Sequence, residues 1–168
     1  MNIREANIKD VEIIVDYNYN LAYETENIHL DKNTLTNGVK NIILDNTKGT
    51  YYVCEIDGKV VGQIMYTYEW SDWRNGTFIW VQSVYVNKDY RGQGVFKALY
   101  AKVKEICESS NEYVGIRLYV EKKNYIAQQT YNNIGMHECN YYLSKFHICS
   151  SAKYLVFILN KKEDHPKC

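Results

Sequence analysis

The chain has no surplus of either charge: 20 lysines and arginines balance 20 aspartates and glutamates. That argues against a dedicated DNA- or RNA-binding domain, which carries a basic excess. No apolar run approaches the roughly 18 residues of a membrane span. Neither nucleic acid nor a membrane is therefore expected as a partner. No apolar stretch follows the charges at Met1-Asn2-Ile3-Arg4-Glu5, so no secretory leader is expected and the cytoplasm is the expected compartment. The five cysteines, Cys54, Cys107, Cys139, Cys149 and Cys168, are odd in number and irregular in spacing. They read as reduced thiols serving as small apolar residues, not as a disulfide scaffold. His137-Glu138-Cys139 and His147-Ile148-Cys149 lack a zinc spacing, and no metal is expected. Repeats, low-complexity blocks and Gly/Ser linkers are missing as well.

What remains is an ordinary globular composition, 46% hydrophobic and 24% charged over 168 residues. A chain of that size supports one core and buries about two-thirds of the surface its unfolded form exposes. One domain over residues 1–160 is expected, with a polar tail over 161–168. Ile3 to Ala6 reads as an opening strand. Asp10 is placed to cap a helix whose Val11, Ile14 and Val15 share an apolar face. A second helix is predicted from Leu35 to Leu44. Thr50 to Glu55 and Lys59 to Tyr68 flank Ile56-Asp57-Gly58, a hairpin signal. Trp70 to Gly76 reads as a loop, and Phe78 to Val86 as a central strand buried on both faces. The clearest helix runs from Val95 to Glu108, with Val95, Leu99, Val103 and Ile106 at helical spacing. Gly115 to Glu121 alternates like a strand, and Asn124 to Asn133 is a short helix stopped near Gly135. Two further strands are predicted around Cys139 to Phe146 and Lys153 to Asn160. The order points to an α/β (α+β) domain on one central sheet.

The segment from Val84 to Leu99 carries the most chemistry. A buried strand runs into a turn with two glycines, Gly92 and Gly94, and straight into a helix. The first helical turn has N–H groups without intrahelical partners, and the dipole makes that end partly positive. Glycines let a ligand approach the backbone. Arg91 adds a cation with a planar fork. Together they suit a phosphate or pyrophosphate. A dinucleotide fingerprint would need glycine where Lys97 stands, and a Walker loop would need Gly-Lys-Ser/Thr; neither is present.

Arg91-Gly92-Gln93-Gly94-Val95-Phe96 resembles the pyrophosphate signature of the GNAT superfamily of acetyl-CoA-dependent N-acetyltransferases. Phe96 departs from it, standing where the family usually has Gly or Ala. A second block of that family is matched by Asn124, Ala127, Tyr131 and Gly135-Met136. The resemblance implies a mixed, mostly antiparallel central sheet of six to seven strands with helices on both faces, splayed where the cofactor enters. It implies acetyl-CoA as co-substrate. Main-chain groups of Val84 and Val86 would bond its pantetheine arm, and Asn124 would bond it from the other side. The amides of Gly92, Gln93, Gly94, Val95, Phe96 and Lys97 would hold the pyrophosphate. Tyr131 would stand near the acetyl sulfur.

The reaction so implied is acyl transfer from a thioester to a primary amine of a small molecule or a peptide. The amine must lose its proton before attack, and the oxyanion needs a donor such as the Val84 N–H. Tyr131 is the candidate acid for the leaving thiolate. For the base, Glu69, Asp72 and Glu121 are weak candidates, each more often a solvated charge. Gln82 and Ser83 occupy the middle of the central strand, and Trp70 and Trp73 are candidates for a wall around a cationic amine. Each has a bland rival: Tyr131 packing a helix, Asn124 merely capping one, Arg91 as a solvated turn charge. A CoA-binding module without catalysis is the rival from another class. Late strands often form dimer contacts in such proteins, which leaves a homodimer open.

Overall fold

Period-two alternation of apolar residues builds the sheet. Val53 and Cys54, next to each other on one strand, are both fully buried but join different cores on opposite faces; so do Ile64 and Met65 on the next. In the computed structural model, residues 1–139 are described. Met1–Met136 form one compact unit.

Five strands are described: β1 (Asn2–Glu5), β2 (Thr50–Ile56), β3 (Lys59–Ser71), β4 (Gly76–Val86) and β5 (Tyr113–Leu118), hydrogen-bonded in that order. The first three junctions are antiparallel and β4 to β5 is parallel. The mixed, mostly antiparallel sheet is as expected, but six to seven strands are not matched. The two extra strands fall on residues 139–160, of which all but Cys139 lie outside the described residues, as does the polar tail. Cys139 itself is not in a strand.

Helices α1 (Val11–Glu26) and α2 (Lys32–Leu44) cover one face through Val11, Ile14, Val15 and Val39. Helix α3 (Val95–Glu108) covers the other through Val95, Leu99 and Val103, all almost fully buried. The short α4 (Tyr125–Asn133) is capped by Asn124, whose Oδ1 accepts from the Ala127 N–H at 3.1 Å. Asp57-Gly58 turns β2 into β3 with φ of 49° and 74°, the left-handed pair of a tight hairpin.

Two local readings are corrected. Asp10 does not cap α1 with its side chain. Asn7 caps the preceding 3₁₀ turn, accepting from the Lys9 N–H. Asp10 instead takes both ends of the Arg4 fork at 2.8 Å and the Asn7 N–H, with Arg4 also reaching Glu55 at 2.7 Å. The Arg4 hydrogen bond outweighs burial and holds the Asp10 carboxyl below its ordinary range. The stretch from Trp70 is not all loop. β3 continues to Ser71 because Glu69 and Trp70 pair with Phe78 and Thr77 of β4. Among the described residues, no helix is long and apolar enough to cross a membrane.

Candidate active site

β4 is longer than its parallel neighbour. Its pairing with β5 runs from Thr77↔Tyr113 to Val81↔Leu118 and stops there, five residues before β4 ends at Val86. The last part of β4 therefore has one free edge. A bulge sits at its start. Gln63 and Met65 of β3 face Tyr85 and Gln82, so β4 holds one extra residue there, and Ser83 takes a φ of +48°. That conformation costs a non-glycine residue roughly 1–2 kcal/mol and persists where neighbours over-determine it. The neighbours are polar. Gln63 Nε2 donates to the Ser83 carbonyl at 3.2 Å and to Asn18 Oδ1 at 2.7 Å, and Asn18 Nδ2 donates to the Tyr51 hydroxyl at 2.9 Å. Burial pushes the Tyr51 phenol up, partly offset by hydrogen bonds with Asn18 and Ser83, so it stays neutral. Gln63 is fully buried and its Oε1 has no partner among the described residues.

The bulge settles which groups face the free edge. The Asn87 N–H donates to Val61 O at 2.9 Å, toward β3. Strand alternation then turns the main-chain groups of Tyr85 toward β3 and those of Val84 and Val86 toward the open side. Arg91 Nε meets the Val86 carbonyl there at 2.9 Å.

The strand leads into the double-glycine turn. Gly92 and Gly94 have φ of +76° and +82°, and a Cβ added at either would meet nothing within 4 Å. Both features fit a concave main-chain surface open to a ligand. Gly94 is the N-cap of α3 and supplies no side-chain cap. The nearest main-chain bonds are Arg91 N–H to Lys88 O and Ala98 N–H to Gly94 O. Among the described residues the amides of Gly92, Gln93, Gly94, Val95, Phe96 and Lys97 are left without an acceptor outside the helix. A helix start of this kind is a ready anion site.

Arg91 is not a free arm over that turn. Its Nη2 donates to Glu24 Oε2 at 2.8 Å and its guanidinium lies 5.4 Å from the Tyr85 ring centre. Glu24 Oε1 accepts from the Tyr85 hydroxyl at 2.8 Å, and Lys88 Nζ stands 3.4 Å away. Burial would raise the Glu24 pKa, but Arg91, Tyr85 and Lys88 together leave it lowered. Burial, with the Glu24 hydrogen bond, pushes the Tyr85 phenol up to about 12. Arg91 thus ties the turn to the end of α1, 67 residues away in the chain.

Phe96, the departure from the motif, packs its ring on two tyrosines. It meets Tyr131 edge-on at 5.6 Å and Tyr100 at 6.0 Å. The bulky side chain therefore buttresses Tyr131 of α4. Burial raises the Tyr131 phenol above its ordinary value, which keeps it protonated and able to donate at neutral pH.

A groove of about 480 Å³ lies beside the bulge, lined by residues of α1 and α2, by Tyr51 and Ser83, and by Tyr119 just past β5. Asn18, Gln63, Glu24 and Gly38 carried no signal in the sequence, since each matters only through chain neighbours that folding supplies. Other candidates lie elsewhere. Gln82 donates to Thr67 Oγ1 at 2.8 Å, on β3. Trp70 and Trp73 are 64% and 85% exposed at the far hairpin. Trp70 pairs with Thr77, roughly 23 Å of strand from Val84, so these rings do not wall the site. Glu69 and Asp72 share that far end, Glu69 bound to Arg117 at 2.5 Å and Asp72 accepting from the Trp73 N–H. Glu121 accepts from the Lys123 N–H at 2.6 Å, in the link between β5 and α4.

The model of the acetyltransferase (GNAT) family matches residues 15–136. The chain belongs to that family. Among solved structures, a possible acetyltransferase from Clostridium difficile 630 is 51% identical, over 88% of this chain and 97% of its own, with a TM-score of 0.83. A predicted acetyltransferase with acetyl-CoA from Clostridium acetobutylicum shares the fold at 17% identity, over 86% and 95% of the two chains, with a TM-score of 0.71. A ribosomal-protein-alanine N-acetyltransferase from Brucella melitensis biovar Abortus 2308 does so at 16%, over 87% and 99%, with a TM-score of 0.68. No curated protein matches the chain.

The family uses acetyl-CoA, and the residues fit that molecule. The open amides from Gly92 to Lys97 suit its diphosphate, and the free edge at Val84 and Val86 suits an amide-bearing arm. Oδ1 of Asn124 is spent on capping α4, which leaves its Nδ2 to donate.

Proposed function

We propose that the protein is a cytoplasmic N-acetyltransferase that moves the acetyl group of acetyl-CoA directly to a primary amine. The observation that carries the reading is continuous: a β4 edge freed from β5 runs into a glycine turn with no side-chain cap, where a Cβ added at Gly92 or Gly94 would meet nothing within 4 Å. Acetyl-CoA supplies an activated thioester, and the chain supplies binding, orientation and proton handling. The Gly92 to Lys97 amides hold the diphosphate. Val84, Val86 and Asn124 align the pantetheine, so that the thioester lies in the gap between β4 and β5. Arg91 acts chiefly by holding the turn to Glu24.

The neutral amine attacks the carbonyl carbon from the groove side, where Ser83 and Tyr119 meet the gap. The N–H of Val84 donates to the oxyanion. As the C–S bond breaks, Tyr131 gives its proton to the sulfur. The new amide nitrogen releases one to solvent, which restores Tyr131. The products are the N-acetylated amine and the free thiol, with no acyl-enzyme. Burial favours this role for Tyr131, because it keeps the phenol neutral until a thiolate appears.

A thiol-release assay with acetyl-CoA over a panel of amines, beside calorimetry of CoA binding, tests the reading. Amine-dependent thiol release with CoA bound in the micromolar range is the expected result. Binding of CoA with no release for any acceptor would make the protein an acyl-CoA sensor instead.

A further inference from the structure

The groove has a chemistry of its own. At about 480 Å³ it is the size of a small-molecule site. Its α1 and α2 side is mainly aliphatic, with Leu21, Leu30, Leu35, Val39 and Ile42 beside the neutral Thr25 and Thr34. The opposite end, at the bulge, is polar but uncharged, formed by Asn18, Tyr51 and Ser83. Among the described lining residues Glu26 is the sole charge, and no lysine, arginine or histidine takes part. An acceptor bearing a carboxylate or phosphate would meet no countercharge among those described residues. A polyamine or aminoglycoside would bring several charges to a single carboxylate and bury part of them against leucines, at a high desolvation cost.

Gly38 adds a second, independent observation. It sits inside the 13-residue helix α2 and lines the groove. A glycine there costs a helix about 0.5–1 kcal/mol relative to alanine. Packing does not require it, since an added Cβ would meet nothing within 4 Å. What the glycine keeps is room on the groove wall.

We propose that this groove binds a primary amine carried on an apolar, otherwise uncharged body, with the amine at the Ser83 end and the body along α1 and α2, and that Gly38 sets how bulky the body can be. The inference rests on the transferase reading for its orientation. The charge pattern of the described lining residues supports the occupant independently of that reading.

Phenethylamine is a suitable probe, set against spermidine, lysine, kanamycin and a peptide with a free N-terminal methionine. The expected kcat/KM for phenethylamine exceeds that of each by at least about tenfold. Gly38→Leu should raise the phenethylamine KM by about tenfold or more, with kcat and the CoA Kd changed less than about twofold. Leucine is a better helix former than glycine, and circular dichroism with the CoA Kd checks that the variant is folded. Gly38→Ala should show a much smaller KM change. Preference for spermidine, lysine, kanamycin or the peptide would overturn the inference and leave the transferase reading intact, because thiol would still be released. So would a phenethylamine KM indifferent to Gly38→Leu. If no amine releases thiol, equilibrium binding decides: phenethylamine affinity for the CoA-loaded protein that falls in Gly38→Leu sustains the groove without the reaction, and no binding overturns it.

Discussion

The glycine turn and the α1–α2 groove, proposed here to hold cofactor and acceptor, are built in opposite ways. The turn is one contiguous stretch, from Val84 to Lys97, and its working parts are main-chain amides. Such a surface needs glycine at Gly92 and Gly94, where φ is positive, so the requirement is written in the residues themselves. The groove gathers side chains from α1, α2, β2, β4 and the end of β5. No spacing in the chain announces it. A site made of backbone tolerates few local sequences, whereas one made of side chains tolerates many, and that freedom lets one family keep a cofactor and change its acceptors.

The sharpest way to break the comparison is at the proposed acid, Tyr131, whose ring packs on Phe96 beside the turn and does not line the groove. Tyr131→Phe should lower kcat by about 10²- to 10⁴-fold, the range for losing a positioned general acid, and leave the CoA Kd within about twofold. The pH dependence has a definite sign. Burial raises the phenol above its ordinary value, so its proton is present throughout the neutral range and is lost only above about pH 10. The wild-type kcat should therefore hold from pH 7 to about 10 before any fall, and kcat/KM should rise with pH as the acceptor ammonium gives up its proton. Steady-state kinetics over that range check both. A kcat unchanged in Tyr131→Phe would remove Tyr131 from the chemistry.

Next in size is the polar support behind the groove. Gln63 is fully buried and gives both recorded hydrogen bonds through Nε2. Gln63→Leu withdraws the donor from Asn18 Oδ1 and the Ser83 carbonyl and should cost about 1–3 kcal/mol in urea unfolding. The unpartnered Oε1 works the other way, so a loss near the lower end is expected. If Ser83 relaxes from its positive φ, the Val84 N–H shifts with it, and kcat should fall more than the CoA affinity.

The same contrast explains what was readable beforehand. The bounds of α3, Val95 to Glu108, are legible in the sequence because its apolar spacing and the glycine before it are local. The Asp57-Gly58 hairpin and the cap at Asn124 were local too. The spacing alone offers Asp10 as a helix cap, but its partner Arg4 on β1 outcompetes the helix end for the carboxylate. The strand expected at Gly115 to Glu121 runs instead from Tyr113–Leu118; its pairing partner β4 bulges just past Val81, and the ladder stops at Leu118. Arg91 reads from the sequence as a cation for phosphate, and its partner Glu24 becomes visible only once α1 docks. Phe96 reads only as a departure from the motif, since the fold alone brings its ring onto Tyr131.

A smaller effect is expected at the turn itself. Gly94→Ala forces a side chain into a left-handed conformation, costing roughly 1–2 kcal/mol. Whatever part of that cost the ligand-competent shape carries appears as weaker CoA binding, up to about tenfold by calorimetry. Phenethylamine affinity should stay unchanged, because the groove shares no residue with the turn. A parallel loss of both affinities would show that turn and groove are one cooperative site.

The smallest change probes the groove alone and has the opposite sign. Gly38→Ala removes a glycine from the interior of α2 and adds a Cβ in open space. Helix propensity and reduced freedom of the unfolded chain should then stabilise the fold by about 0.5–1 kcal/mol, raising Tm by roughly 1–4 °C in a domain of this size. The catalytic residues are untouched, so kcat should not move. A stabilised protein with an unchanged phenethylamine KM, beside a Gly38→Leu protein with a raised one, would show that the glycine is kept for volume and not for a bend in the helix. If Gly38→Ala instead lowers Tm, the backbone at Gly38 has a conformational demand of its own, and the groove would be a by-product of that demand.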